Sequence, residues 1–471
     1  MANENPAPSP VGTPYRPMPR PWGSRRSFFG PLALITIGVL FLLINMHMLS
    51  YYVVGRWFAQ YWPAVLIVWG LVRLVEYLLA QRGGYAPPRM GGGAIVFLVF
   101  LCLFGAVATR TMNFNWSAIH SDLDIDEDSN PFFHAFNNSY TYNDQLVQDF
   151  VPGSTLTVNC NRGAIKISTS EDNKIHVAIH KRVFAGSESE GSSINDRTRP
   201  VISVTGSTIQ IDASRNGGNQ FVSDLEILLP RKAPLELLTS RGDIEINGRD
   251  GDVKANTSRG NVSFSDIQGS VEAHMRKGDF TAQNISGDVT VEGRVNDSSV
   301  SNVKGSVTLN GEFFGEMKLS KIAKELRFKS NRTDLEFARL DGDMDLSTDD
   351  LHANSVVGPV RLSTRSKDIR FDGVSGDVNI QNSNAQVELH PTSPLGSIEV
   401  NNKRGSINLF VPSNAGFELD ARAVNGEIQD EFDVNVQSDT RGSAKSYGTA
   451  GKGGPKVNLT TDRGNIEIHK G

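Results

Sequence analysis

The sequence predicts an all-β solenoid, β-helix-like and with about 18 residues per coil, attached to an N-terminal α-helical membrane region. Two observations carry this prediction. The long apolar runs nearly all lie before residue 110, and from Gly242 onward a five-residue phrase recurs at a spacing of nine residues. A fixed short period is the signature of a solenoid, and it outranks local propensity in deciding the fold.

Composition and charge narrow the classes of partner. The chain has 471 residues, of which 39% are hydrophobic, and a formal net charge of −5. That length allows about two to four domains. Because no basic stripe with interleaved aromatic side chains occurs, we expect no nucleic-acid partner.

The first 110 residues predict a tail followed by a membrane region. Residues 1–27 are rich in proline and poor in apolar side chains, so we expect a disordered cytoplasmic tail. The membrane region, 28–110, contains three apolar runs, at 31–49, 62–80 and 93–109. As helices these runs match a hydrocarbon core of roughly 30 Å. We therefore predict three spans, with the lipid bilayer as a partner.

Positive charges near the spans set the expected orientation. Arginines are frequent in the tail and in the 81–92 loop but not in the 50–61 loop, where Arg56 stands alone. Since such charges stay cytoplasmic, the N-terminus is predicted inside and everything past residue 110 outside. Within the second span, Arg73 and Glu76 are three residues apart. This spacing favours mutual pairing and snorkelling over a separate role, although an intramembrane charge pair also suggests function.

Residues 111–150 are predicted to be an acidic linker. Five acids occur between Asp122 and Asp128. A calcium loop counted from Asp122 needs glycine at its sixth position and glutamate at its twelfth, where this chain has Glu127 and Phe133. We therefore predict a solvated spacer.

Residues 151–471 are predicted to form the solenoid with its capping segments. The phrase begins at 242, 251, 260, 269, 278, 287, 296 and 305 without a slip. It continues less regularly at 324, 333, 342, 358, 367, 376, 396 and 405. Each phrase has a turn residue, a polar residue, and then apolar, polar and apolar residues, which is typical of a strand with one buried face.

Two kinds of unit alternate, so the coil is predicted to have about 18 residues, two strands and two different corners. Every second unit carries an apolar residue two positions before its turn residue. These residues are predicted to fill one corner, and they are Ile267, Ile285, Val303, Leu340 and Val374. Because the ends of a stack need caps, residues 151–230 are predicted to form one cap, and the segments after residue 405 the other.

Several motifs suggest chemistry but are better explained by structure. Arg241-Gly242-Asp243 resembles a cell-attachment tripeptide, yet a basic residue before the turn glycine and an aspartate after it recur along the repeat. His176 and His180 share one face of a predicted strand, and no further Cys or His is near enough in sequence to complete a metal site. The outward positions of the repeat show no cluster of carboxylates. We therefore predict no catalytic, cofactor-binding or metal-binding residues.

Two parts of the chain resemble known families. Gly30, Pro31, Gly38 and Asn45, followed by "WPAVLIVWG" at 62–70, resemble the transmembrane region of the Lia-type cell-envelope stress proteins of bacteria. This resemblance implies a bacterial cytoplasmic membrane and a tethered β domain, although the third span departs from the family's often even number. From about residue 150 onward, the Gly-Asp refrain and the echo of "LLPRKAPLEL" in "FVPSNAGFEL" resemble the bacterial putative-adhesin β-solenoid family. That family supplies a fold and no catalytic residue.

The function expected from these features is binding rather than catalysis. The preferred hypothesis is a membrane-anchored extracytoplasmic β-solenoid that binds an envelope protein or glycan, as an adhesin. The alternative is a cell-envelope stress sensor or regulator that acts through its membrane helices. A β-helix polysaccharide-active enzyme is a third possibility, which would require clustered acids on one face.

Overall fold

The computed structural model describes residues 138–214, 220–432, 434–438 and 442–471, together with six positions between Tyr61 and Leu74. Those six positions, 61, 64, 67, 70, 71 and 74, are helical. Within this described part, no helix has both the length and the apolar character needed to cross a membrane. The predicted tail, the spans at 31–49 and 93–109, Arg73, Glu76 and the acids at 122–128 lie outside the described residues.

The described residues from 138 onward form strands and one helix. The N-terminal elements are β1 (Asn138–Asp149), β2 (Thr155–Arg162), β3 (Ile165–Thr169), β4 (Lys174–Ala185), α1 (Glu188–Arg197), β5 (Val201–Thr205), β6 (Thr208–Asp212), β7 (Phe221–Leu229), β8 (Leu235–Arg241) and β9 (Ile244–Arg249). The middle elements are β10 (Val253–Arg259), β11 (Val262–Ile267), β12 (Val271–Met275), β13 (Phe280–Ile285), β14 (Val289–Val295), β15 (Ser298–Val303), β16 (Val307–Phe313), β17 (Met317–Ile322), β18 (Leu326–Lys329) and β19 (Thr333–Leu346). The C-terminal elements are β20 (Asp350–Asn354), β21 (Val356–Thr364), β22 (Asp368–Asn382), β23 (Val387–Arg404), β24 (Ile407–Val411), β25 (Phe417–Ala423), β26 (Ile428–Asp430), β27 (Asn435–Ser438), β28 (Ala444–Ala450), β29 (Lys456–Arg463) and β30 (Ile466–Lys470).

Strands that are two apart in the chain pair in parallel, which gives two stacked faces. On the first face, Val253 of β10 lies opposite Val271 of β12, and Val271 lies opposite Val289 of β14. On the second face, β9, β11, β13, β15 and β17 pair in the same way. Opposed residues are eighteen apart through β16, so the predicted coil length and its two strands are confirmed.

The core lies between the two faces. Alternate side chains of each strand are buried, as at Val289 and Val291, because successive residues of a strand point to opposite sides. The five residues predicted to fill one corner are all buried, and Ile267, Ile285 and Val303 stack on one another in register. The corner prediction is therefore confirmed.

The other corner is held by glycines and by polar side chains that bridge adjacent coils. Gly242 and Gly260 have φ values of +144° and +137°, and a Cβ on Gly260 would overlap the Gly242 carbonyl. One residue further on, the Asp243 carboxylate accepts a hydrogen bond from the Asn261 N–H at 2.7 Å. The Asn261 side-chain oxygen in turn accepts one from the Asp279 N–H at 2.8 Å. We call this series the corner ladder.

In the middle of the stack, the long strand β19 runs antiparallel to its neighbours, which the sequence analysis did not predict. The phrases at 333 and 342 were expected to be separate rungs, but both belong to the long strand β19. It pairs antiparallel with β17, β18, β20 and β21. The cause is a tight turn closed by a hydrogen bond from Ser330 N–H to the Thr333 carbonyl, which reverses the chain after β18.

At the N-terminal end, the first coil is inserted into the stack. Strand β2 pairs in parallel with both β6 and β8, and β3 pairs in parallel with both β7 and β9. Part of the predicted cap, 155–169, is therefore an interior coil. The cap itself consists of β4 and β5, which run antiparallel to β7 and β6, together with α1 and β1.

Strand β1 begins inside the segment assigned to the linker. Its half-buried positions include Tyr140, Tyr142, Asp144 and Leu146, so the alternation contains little aliphatic character to reveal a strand. The sheet therefore starts earlier than the sequence pattern indicates.

The C-terminal end repeats the insertion. Strand β29 pairs in parallel with both β23 and β25, and β30 pairs in parallel with both β24 and β26. The last coil of the chain was expected in the cap, but it lies within the stack. The echoing segments "LLPRKAPLEL" and "FVPSNAGFEL" are the connections that step over an inserted coil, which explains their likeness.

Buried cations donate hydrogen bonds to backbone carbonyls where the regular strand pairing is interrupted. Lys181 is fully buried, and its Nζ donates to the Asn195 and Thr198 carbonyls at 3.3 and 2.8 Å, at the C-terminal end of α1. Burial lowers the pKa of Lys181 to about 8. Arg249 donates to the Leu229 carbonyl at 3.1 Å in the same manner, and burial lowers its pKa to about 10.

Candidate functional site

The structure assigns the attachment-like tripeptide to the corner of a coil. Gly242 provides the positive φ that the close approach to Gly163 requires, and the Asp243 carboxylate accepts the backbone N–H of Asn261. Arg241 lies opposite Arg259 at the end of the paired strands. Each residue of the tripeptide therefore has a place in the repeat.

The two histidines singled out by sequence do not converge on a site. His176 contacts Asp172 at 2.8 Å and His180 contacts Asn143 at 3.0 Å, so the two imidazoles have separate partners. Cys160 is buried, and its burial raises the pKa of the thiol to about 12. Within the described ranges, no group of three or more His, Cys, Asp or Glu side chains is arranged to hold a metal ion.

A contiguous band of charged and aromatic side chains crosses the second face toward its C-terminal end. It lies on the outward side of β20, β22, β23, β24 and β30 and on the turn after β26. We call it the histidine stripe, and its members are His352, Arg370, Asp372, Glu388, His390, Phe410, Glu431, Glu467 and His469.

Strand alternation and register bring the stripe together. Ile369, Phe371 and Leu389 point into the core, so the residues directly before and after each of them in its strand point outward. Parallel pairing then places Asp372 opposite His390 on the next rung. Because neighbouring strands are about 4.8 Å apart, side chains from adjacent rungs come within hydrogen-bonding reach.

Asp372 is the centre of the first half of the stripe. Its carboxylate contacts His352 Nε2 at 2.9 Å and Arg370 Nε at 2.9 Å, and His390 Nε2 lies 3.7 Å away. The same His390 nitrogen contacts Glu388 at 2.9 Å, and Arg370 Nη1 lies 3.3 Å from Glu388. Side chains from β20, β22 and β23 thus form one network of ion pairs.

The pKa values in this half follow from the network. Burial by itself raises the pKa of Asp372, but hydrogen bonds from Arg370 and His352 outweigh it, so the net pKa is lowered. The hydrogen bond to Asp372 is the main cause of the raised pKa of Arg370. Both groups therefore remain charged over a wide pH range.

Three stacked rings form the second half of the stripe. Phe410 lies parallel to His390 at a centroid distance of 4.3 Å, and His469 stacks on its other side at 4.9 Å. His469 contacts Glu431 at 3.2 Å and Glu467 at 3.4 Å. Hydrogen bonds from the Lys470 N–H and from His469 lower the pKa of Glu431.

A cavity of about 360 Å³ adjoins the stripe at the start of β20, β22 and β23. Polar side chains line it in two rows, which are Asp350, Asp368 and Gln386, and His352, Arg370 and Glu388. The registers of these strands place Asp350 opposite Asp368, and Arg370 opposite Glu388. The cavity therefore presents donors and acceptors on a rigid sheet, an arrangement suited to recognition of a polar partner.

Sequence reasoning missed this site because its residues are not periodic. The histidines at 352, 390 and 469 are separated by unequal intervals, since the inserted coil and the segment at 412–455 intervene. Placing these histidines side by side requires an alignment of the repeats in their spatial order, which the sequence alone does not give.

Comparisons with known proteins agree with both resemblances found in the sequence. Residues 153–469 match the Toastrack DUF4097 family model, and residues 29–120 match the LiaF transmembrane domain. The second match indicates that the protein associates with a membrane. No curated protein matches the chain.

Solved structures with some likeness to the chain include two from bacteria. A "putative cell adhesion protein" from Clostridium sporogenes is 12% identical over 70% of this chain and 100% of its own, with a TM-score of 0.15. A "putative adhesin" from Bacteroides fragilis is 12% identical over 69% of this chain and 97% of its own, with a TM-score of 0.19. The family assignment depends on the family model, whose match from 153 to 469 covers well over half of the sequence. This chain belongs to the Toastrack DUF4097 family.

Proposed function

We propose that this protein is a membrane-anchored β-solenoid whose extracytoplasmic part binds a component of the cell envelope or surface, as an adhesion module and without catalysis. The observation that carries this proposal is the histidine stripe with its adjoining cavity. It is an outward, polar and aromatic surface whose side chains are held in place by contacts between rungs. Preorganised side chains lose little freedom on binding, which favours recognition.

Anchoring is supported by the LiaF transmembrane-domain match and by the described positions of the second predicted span. Ile67, Leu71 and Leu74 are helical, and each has more than half of its surface exposed. Large aliphatic side chains on the outside of a helix suit a lipid environment. The proposal includes spans at 31–49, 62–80 and 93–109, with the N-terminus in the cytoplasm.

Photo-crosslinking in intact cells tests the binding surface. A photo-reactive residue would replace Glu467, which lies in the stripe and contacts His469 at 3.4 Å. The matched control would replace Glu292, which lies on the first face and contacts His274 at 3.3 Å. We expect an envelope component to be captured from position 467 and not from 292. Equal capture from both positions, or none from 467, would contradict the proposal.

The second candidate function is a cell-envelope stress regulator that acts through the membrane helices. The LiaF transmembrane-domain match over residues 29–120 favours it. This function requires a membrane or cytoplasmic partner that contacts the tail or the spans. Deleting residues 1–27 should then abolish capture of that partner while leaving crosslinking at 467 unchanged. Unchanged capture after the deletion would remove the support for a signalling role of the tail.

A further inference from the structure

The cavity beside the histidine stripe contains polar groups that have no hydrogen-bond partner among the residues that the structure describes. Arg370 uses Nε for Asp372 and Nη1 for Glu388, whereas its Nη2 makes no hydrogen bond to the described residues. Asp368 uses one carboxylate oxygen for the Gln386 N–H at 2.8 Å, and the other accepts no bond from the described part of the chain. Most other charged groups of the stripe, by contrast, are paired.

Two further groups complete the set. The carboxylate of Asp350 accepts no hydrogen bond from the described residues, although the buried Lys367 lies close enough to feel its charge. The side-chain amide of Gln386 likewise has no hydrogen-bond partner within the ranges that the structure describes. The cavity therefore offers donors from Arg370 and Gln386, and acceptors from Asp350, Asp368 and Gln386.

This mixture of groups selects among ligand classes. Three carboxylates line the cavity, those of Asp350, Asp368 and Glu388, and they disfavour an anion. A hydroxyl group both donates and accepts, so a ligand with several neighbouring hydroxyls satisfies carboxylates and guanidinium together. The volume of about 360 Å³ falls at the small end of ligand sites, which suits one or two sugar rings.

We propose that the cavity formed by Asp350, Asp368, Arg370, Gln386 and Glu388 binds a neutral glycan, with the carboxylates and the guanidinium hydrogen-bonded to sugar hydroxyls. This inference rests on the proposed function, because it names the chemistry of the partner bound at the same surface. Arg370 is held in position by Asp372 and Glu388, so its remaining donor is already directed when the sugar arrives.

The test is a titration of the full-length protein in detergent with chitotetraose and, separately, with cellotetraose, followed by calorimetry. The two probes share a linkage, and they differ in carrying N-acetylated amino sugars, as in a bacterial wall, or unsubstituted hexoses. We expect saturable binding of at least one probe. Asp368→Asn and Arg370→Gln should each weaken it by about tenfold or more, because each removes a charged hydrogen-bond partner.

Glu226→Gln is the matched control, since Glu226 is an exposed carboxylate on the outward side of β7, at the other end of the stack. It should leave the affinity unchanged. Tetragalacturonate should bind more weakly than the neutral probe that binds more tightly.

Three outcomes would overturn the inference: no binding of either neutral probe, tighter binding of tetragalacturonate, or binding that Asp368→Asn and Arg370→Gln leave unchanged. Capture at position 467 without glycan binding would remove the inference and leave the proposed function in place. Glycan binding without capture at 467 would keep the cavity as a glycan site and contradict only the proposed capture of an envelope component at position 467.

Discussion

Replacement of a corner glycine by alanine should destabilise the solenoid far more than the same replacement in an open turn. Gly260 has a φ of +137°, and an added Cβ would overlap the Gly242 carbonyl on the adjacent rung and lie 3.1 Å from the Asp243 nitrogen. The obstruction is backbone, which cannot rotate aside like a side chain. The rungs would have to separate at this corner, where Gly242 N–H donates to the Arg259 carbonyl at 2.9 Å.

Two terms set the size of the effect. A side chain in a backbone region that only glycine favours costs about 1–3 kcal/mol. Overpacking of a close contact costs about 1–3 kcal/mol more. We therefore expect Gly260→Ala to lower the free energy of unfolding by about 4 kcal/mol.

Gly206→Ala is the matched control. Gly206 also has a positive φ, of +60°, but a Cβ there would meet no atom within 4 Å. Only the backbone cost of about 1–2 kcal/mol should remain. The assay is denaturant unfolding of the full-length chain in detergent, followed by the β-sheet signal in circular dichroism. Equal losses for the two variants would refute the reasoning from inter-rung contact.

Three further predictions concern the corner ladder, a buried cation and the stripe. Asp243→Asn should leave the free energy of unfolding within about 0.5 kcal/mol of wild type, because Asn261 already does the same job one rung on, whereas Asp243→Ala should cost about 1 kcal/mol in the same denaturation assay. For Lys181, the folded pKa of about 8 lies below the ordinary 10.5, so the unfolded chain binds more protons between these values. The free energy of unfolding of the wild type should therefore rise by on the order of 3 kcal/mol relative to that of Lys181→Met as the pH rises from 8 to 10.5. A rise of equal size in both proteins would contradict the lowered pKa of Lys181. For Glu431, NMR titration should give a pKa below 4.5 that rises in His469→Gln. Its stabilising contribution is then present above pH 4.5 and lost as the pH falls through the folded pKa, and a pKa unaffected by His469→Gln would exclude the pairing.

The regular part of the fold could be predicted from sequence because each rung repeats the same physical constraints. Apolar alternation identifies the strands, and the glycine at 242, 260 and 278 identifies one corner. Residues such as Ile267 and Ile285 identify the other corner, since only a buried position accounts for an apolar side chain at that point. The coil of eighteen residues follows from these signals alone.

The exceptions depend on contacts that leave no periodic trace. The reversal at β19 results from a short polar turn at Ser330, which looks like any other corner in sequence. The insertion of a coil between two others cannot be predicted from the strands themselves. Strands β2 and β29 carry the same alternation as any other strand of the stack. The histidine stripe arises only once these insertions have placed His390 and His469 on either side of Phe410.

The stacking of rungs is the claim on which the account depends, and a distance between spin labels tests it most directly. Labels at Glu245 and Lys318 would lie on the outward side of β9 and β17, which are linked through Ser263, Thr281 and Ser299. Four strand spacings of about 4.8 Å predict a separation between the two Cα atoms of about 19 Å. Double electron–electron resonance on the full-length protein should give one narrow distribution near that distance. A broad distribution, or one centred well beyond it, would contradict the stacked solenoid.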